Sequence, residues 1–159
     1  MENTPVSSDL IDLLTRANAR EMQVSIQYML QHSVWFASLE GHKPSNKRIR
    51  FISRHAAVWM PGNSLRKIAM AEMIHAEKIA ERIVRLGGEL TPQHDSVSLG
   101  KNTEEMLSID LKEEQSAIDL YEEIITLAEK TKDTITRDMF VKILADEKKH
   151  HRLFASLLK

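Results

Sequence analysis

Apolar residues recur at steps of three and four along four long stretches of this chain, and that period marks one buried face of an α-helix. The first stripe is Leu10, Leu14, Ala17, Val24 and Tyr28, in a helix capped by Ser7 or Ser8 and running to about residue 37. The second is Leu65, Ile68, Ile79, Ile83 and Leu86, starting at Asn63 or Ser64 and stopped by Gly87-Gly88. The third is Leu107, Leu111, Ile118, Tyr121 and Ile125, opened by Asn102 with Glu105 three residues on, as in a capping box. The fourth is Phe140, Ile143, Phe154 and Leu157, opening near Asp133. With only five Gly and four Pro to interrupt them, these stripes predict an all-α four-helix bundle of antiparallel pairs. Each helix is expected to be about 25–29 residues and about 40 Å long. The short link around 131–133 forces the third and fourth helices antiparallel, and the loop at 88–101 is long enough to cross the bundle end to end. Residues 1–159 read as one domain, with 38–62 a turn-rich insertion that holds the basic run Lys47, Arg48, Arg50 and Arg54.

Every stripe carries one carboxylate near mid-length: Glu21, Glu72, Glu114 and Glu147. A buried, unpaired carboxylate costs several kcal/mol, so four together call for a cation. The second and fourth helices add a His three residues later, in Glu72-Met-Ile-His75 and Glu147-Lys-Lys-His150. Positions i and i+3 share a helix face, so one metal can take an oxygen and a nitrogen from the same helix. With 15 Glu and 7 His, about 0.7 such pairs arise by chance, so the pairs alone decide little. Their placement does more: both lie on a buried stripe, in alternate helices, and the order Glu then Glu-x-x-His repeats in the two halves of the chain. Two single Glu and two Glu-x-x-His pairs form the ligand set that dinuclear carboxylate sites use in helix bundles. Glu113 competes with Glu114 but lies off the stripe.

Composition removes other classes. There is no Cys, which excludes disulfides, thiolate zinc sites, iron–sulfur clusters and cysteine nucleophiles from this chain. A net charge of -1 provides no field for nucleic acid, so none is expected as a partner. No apolar run approaches a membrane span. The start MENTPVSSDL lacks a basic region followed by an apolar one, so a cytoplasmic protein is expected.

Several stretches together resemble the ferritin-like superfamily and, within it, bacterioferritin. They are Glu21-Met-Gln-Val-Ser-Ile-Gln-Tyr28, Glu72-Met-Ile-His-Ala-Glu-Lys with Glu81-Arg-Ile and Gly87-Gly88, Glu104 to Glu114, and Arg137 to His150. The likeness covers about residues 10–37 and 63–157. It implies a ferritin-like bundle in which Glu72 and Glu147 bridge two irons (manganese being the other metal considered). Glu21 and His75 complete one metal and Glu114 and His150 the other. It also implies Fe(II) oxidation with O2 or H2O2, for iron detoxification or storage. The chain departs from that family in a longer first connection, in Ala71 and Lys67 where polar residues can line an inner iron route, and in having only nine residues after His150. The last departure argues for a dimer or a small assembly over a 24-subunit shell. A rubrerythrin-like peroxidase is the alternative enzyme and would need an external reductant. A haem-binding or structural dimer is the third reading.

Three further residues are candidates beside the metals. Tyr28, two turns after Glu21, is expected to supply an electron or a hydrogen bond. Tyr121, seven after Glu114, is the weaker equivalent. Asp110, one turn before Glu114, is expected to accept the free ring N–H of His75 across the bundle. Met73 follows Glu72 and so points about 100° away from the metals. In the family resembled, a Met there ligates a haem shared by two subunits, which makes haem at a dimer interface a further candidate.

Overall fold

A computed structural model describes residues 8–41, 61–92, 94 and 96–159. Among them are four helices: α1 (Ser8–Gly41), α2 (Pro61–Arg85), α3 (Thr103–Lys130) and α4 (Thr134–Leu157). The basic run at 47–54 and most of the expected insertion lie outside the described residues. No helix among the described residues is long and apolar enough to cross a membrane.

Two boundaries differ from the sequence reading. Helix α1 continues to Gly41, beyond residue 37, because Ser38, Leu39 and Glu40 contain no helix breaker. Pro61 opens α2, although Pro61-Gly62 reads in the sequence as a stop. Proline lacks an N–H, but the first turn of a helix has no use for one, and its fixed φ suits that position. The other ends follow their signals. Asn102 Oδ1 accepts from Glu105 N at 2.9 Å, and Glu105 Oε2 accepts in return from Lys101 N at 2.8 Å. Asp133 caps α4 by accepting from Thr136 N at 3.0 Å, and both its oxygens also accept from Arg82 of α2 at 2.7 Å. After α2, Gly87 takes φ +83 and Gly88 N returns to Ile83 O at 2.9 Å, which closes the helix end.

Contacts fix the directions. Asn18 Nδ2 donates to Ala76 O, and Glu21 lies near His75, so α1 and α2 run antiparallel. Tyr28 meets Glu114 while Tyr121 meets Glu21, so α1 and α3 are antiparallel too. Arg82 meets Asp133 and His150 meets Glu72, which makes α2 and α4 antiparallel. Helices α2 and α3 are therefore parallel and stand diagonally opposite, and residues 86–102 must travel the length of the bundle between them. Two apolar layers fill the interior. One holds Leu10, Leu14, Ala17, Ile79, Ile83, Tyr121, Ile124, Phe140 and Ile143. The other holds Val24, Tyr28, Leu65, Ile68, Met106, Leu107 and Phe154. In α3 the fully buried residue after Tyr121 is Ile124, while Ile125 is only half-buried. A polar belt containing the four stripe carboxylates separates the layers.

Candidate metal centre

Each helix contributes one carboxylate to the belt: Glu21 from α1, Glu72 from α2, Glu114 from α3 and Glu147 from α4, all with no exposed surface. The apolar residues one turn to either side pin each Glu inward. His75 and His150 follow one turn later on α2 and α4, so their rings lie over the same point. His75 Nδ1 is 2.9 Å from Glu72 Oε2 and 3.1 Å from Glu147 Oε1, with Glu21 Oε2 at 4.0 Å. His150 Nδ1 is 2.9 Å from Glu72 Oε1, 3.7 Å from Glu147 Oε2 and 3.8 Å from Glu114 Oε2.

These atoms fall into two groups of four residues, Glu21–Glu72–His75–Glu147 and Glu72–Glu114–Glu147–His150, each with donor atoms within 4.8 Å of one another. Glu72 and Glu147 belong to both. The buried atoms Glu21 Oε2, Glu114 Oε2 and Glu147 Oε2 have no hydrogen-bond partner, and Glu72 Oε1, Glu147 Oε1 and His150 Nδ1 have only the histidine–carboxylate approaches given above. Such orphans are costly unless a cation completes them. Oxygen and imidazole donors in this number suit a pair of first-row divalent ions.

The charge state without metal follows from the same crowding. Burial, and repulsion from Glu72 and Glu147, push Glu21 and Glu114 well above the usual carboxylate range. Burial also opposes charge on Glu72 and Glu147, but the two histidines outweigh it and hold both below that range. The histidines respond in kind: burial lowers them, but Glu147 and Glu72 raise His75 to about 9 and His150 to about 10. At neutral pH the two imidazoles are thus protonated and face the shared carboxylates Glu72 and Glu147, while Glu21 and Glu114 resist ionisation.

The surrounding residues partly match the sequence reading. Tyr28 donates to Glu114 Oε1 at 2.5 Å, and burial holds its hydroxyl protonated. Tyr121 donates to Glu21 Oε1 in the mirror arrangement, so it is the equal of Tyr28. The identical seven-residue offset in α1 and α3 was the signal for that equality. Asp110 does not reach His75. It sits on α3, diagonally across from α2, and its neighbours are on α1: Gln27 Nε2 and Gln31 Nε2 donate to Asp110 Oδ1 at 3.1 and 2.8 Å. The group facing the outer nitrogen of His75 is Asp146 of α4, 3.7 Å away. Arg20 was not foreseen. It is buried, with Nη1 3.2 Å from Glu21 Oε1 and Nη2 donating to Glu113 O at 2.7 Å. Met73 is 53% exposed and faces outward, as its position after Glu72 requires.

Asp110 yields a prediction of its own. Burial outweighs the donors Gln31 and Gln27 and raises its carboxyl to about 7. Asp110 Oδ2 and Gln31 Oε1 both lack a partner, and one acid proton on Oδ2 suits that arrangement. An unfolded Asp ionises near pH 4, so between about pH 4 and 7 only the unfolded chain loses this proton. Stability therefore falls as pH rises through that window, by up to about 4 kcal/mol. Asp110→Asn puts a permanent donor there. Its melting temperature should exceed the parent's by a margin that opens between pH 4 and 7 and then stays flat. A margin independent of pH sinks this account.

An all-α bundle with a buried carboxylate–histidine cluster at its middle, one that could hold metal ions, sets the class of protein. The comparisons narrow it. The ferritin-like domain family matches residues 62–159, more than half of the chain, and the chain belongs to that family. It is 29% identical to a bacterioferritin of Desulfovibrio desulfuricans over 142 residues, covering 89% of this chain and 69% of that one. It is 35% identical to a bacterioferritin of Brucella melitensis over 88 residues, covering 54% of this chain and 53% of that one. It is 39% identical to a bacterial ferritin of Synechocystis over 83 residues, covering 50% and 52%. In the last two matches the chain spans about half the length of its relative.

Proposed function

We propose that the chain binds two iron ions between Glu21, Glu72, His75, Glu114, Glu147 and His150 and oxidises Fe(II), a ferroxidase-type reaction serving iron detoxification or storage. The observation that carries this reading is the division of two carboxylates. Glu72 turns Oε2 to His75 and Oε1 to His150, and Glu147 turns Oε1 to His75 and Oε2 to His150. A carboxylate so divided serves two cations at once. Relatives named bacterioferritin and bacterial ferritin support iron as the metal. Manganese fits the same donors.

Two Fe(II) give up one electron each. Either O2 takes both electrons with two protons to become H2O2, or H2O2 takes both with two protons to become two waters. The chain's residues prepare this. The apolar layers above and below the belt exclude water. The hydroxyls of Tyr28 and Tyr121 orient the single carboxylates of Glu114 and Glu21. His75 and His150 hold protons when no metal is bound, and metal binding releases them where the oxidant consumes two. The test mixes metal-free protein with two Fe(II) per chain, once in air and once anaerobically with H2O2. Near-ultraviolet absorbance should grow faster than in buffer with one oxidant or both, and saturate at two irons per chain. Growth at the buffer rate in both overturns the reading.

A second reading concerns haem. Met70, Met73 and Ile74 on α2 and Ile26, Met29, Leu30 and Val34 on α1 are exposed large apolar side chains. Such a surface suits self-association. A symmetric dimer with its α2 helices adjacent brings two Met73 thioethers to one haem iron. Met73→Leu keeps the volume and removes the sulfur. The Soret band of protein made with haem supplied should vanish while the sedimentation coefficient stays the same. No Soret band in the parent would strike haem from the account.

A further inference from the structure

The two halves of the bundle repeat each other closely around the metal centre. Glu21 with Tyr28 corresponds to Glu114 with Tyr121, and Glu72-x-x-His75 to Glu147-x-x-His150. The repeat breaks at the residue before the single carboxylate, which is Arg20 in α1 and Glu113 in α3. Arg20 is 5% exposed and is tied down on several sides. Nη2 donates to the Glu113 carbonyl at 2.7 Å, Nη1 lies 3.2 Å from Glu21 Oε1 and 3.5 Å from the Tyr121 hydroxyl, and the guanidinium carbon is 5.9 Å from the Tyr121 ring centroid. An arginine does not lose its charge in a protein, and these ties keep it from swinging away. A permanent cation therefore stands on one side of an otherwise symmetric site.

We infer, on the reading that two divalent ions bind here, that Arg20 makes the two metal positions unequal: the Glu21/His75 position fills second and empties first. A metal there must share Glu21 with Arg20, whose Nη1 lies 3.2 Å from Glu21 Oε1, and like charges a few ångströms apart in a dry interior repel strongly. At the other position Arg20 acts less strongly: it makes no ion pair with Glu114, whose Oε1 accepts from the neutral hydroxyl of Tyr28. A second asymmetry works in the opposite direction. Asp146 stands 3.7 Å from the outer nitrogen of His75 and strengthens it as a ligand, whereas the matching position before Glu72 is Ala71. The Asp146 side chain is 42% exposed, and Lys149 already holds one of its oxygens at 2.6 Å. A half-solvated, paired carboxylate is the weaker influence, and the buried charge decides. The weak position also adjoins an opening: a groove of about 440 Å3 between α2 and α4 reaches His75 past Asp146, Lys78 and Lys142. The ion held less tightly is the one next to this exit.

The experiment follows metal binding without turnover. Metal-free protein is titrated with Co(II) under argon and followed by visible absorbance and calorimetry. Two steps should appear, with dissociation constants at least about tenfold apart. Crystals given one equivalent of Co(II) should show anomalous density between Glu114 and His150 and little between Glu21 and His75. Arg20→Gln removes the charge and leaves a shorter polar side chain, so the gap between its two steps should close or reverse toward the Glu21/His75 position that Asp146 favours. Equal steps in the parent, first filling at Glu21/His75, or an unchanged gap in a folded Arg20→Gln each overturn the inference while leaving the dinuclear site intact. Failure of the parent to bind Co(II) at all overturns the dinuclear reading and this inference together.

Discussion

Removing metal from the protein should lower its melting temperature, and Fe(II) or Mn(II) should restore it, by about 10 °C or more at neutral pH. A ligand present at about a thousand times its dissociation constant stabilises the folded state by about 4 kcal/mol. For a chain of this length each kcal/mol moves the midpoint by about 2–4 °C. The size of the shift also depends on pH, with a definite sign. In the metal-free protein His75 and His150 are raised to about 9 and 10 by Glu147 and Glu72. A raised histidine stabilises the fold fully below its unfolded value near 6.5, and that contribution fades as pH climbs through 9 to 10. The metal-loaded protein moves the other way. Metal must displace the two imidazolium protons and ionise Glu21 and Glu114 against the burial that resists it, so its affinity increases with pH. The gap between loaded and empty melting temperatures should therefore widen from pH 6 to pH 9. Calorimetry with and without Mn(II) at pH 6, 7.5 and 9 measures it. A gap that stays constant or narrows contradicts a site built from these residues.

How much of this was legible in the sequence depends on which way a side chain faces. The stripe carries the bundle and the six ligand residues, because apolar neighbours at steps of three and four leave Glu21, Glu72, Glu114 and Glu147 no direction but inward. Residues beside the stripe are different. Arg20 reads as one more surface charge, and only the close packing of α1 against α3 buries it. Asp110 lies on the inner face as its spacing says, but its partner depends on which helices are adjacent and which are diagonal. Periodicity within one helix holds no information on that. The same limit explains why Asp146, next to Glu147 in sequence, was not picked out as the neighbour of His75. Pro61 shows a local ambiguity, since proline both ends helices and opens them, and the residues that follow decide.

Glu72→Gln and Glu147→Gln should abolish tight binding of both metals, whereas Glu21→Gln and Glu114→Gln should each leave one. An amide keeps the size of the side chain but has no charge, and it cannot give an anionic oxygen to each of two cations. Glu72 has an oxygen 2.9 Å from each histidine Nδ1, so its loss is felt at both positions. Glu147 is divided less evenly, at 3.1 and 3.7 Å, and its variant should retain slightly more metal. Glu21 and Glu114 each belong to one group only. Because oxidation draws one electron from each of two irons, the shared-carboxylate variants should oxidise Fe(II) no faster than buffer. The other two keep one tight site, so oxidation must wait for a second Fe(II) to visit the weakened position and should slow sharply without falling to the buffer rate. Elemental analysis after gel filtration gives the stoichiometry, and stopped-flow absorbance gives the rate. Near-ultraviolet circular dichroism must first show native packing, because Glu72→Gln leaves two imidazoliums facing a single carboxylate, and a broken buried pair costs about 3–5 kcal/mol. If folded Glu72→Gln keeps two metals while Glu21→Gln and Glu114→Gln lose both, the shared role passes to Glu21 and Glu114, and the division of Glu72 and Glu147 oxygens between the histidines has another cause.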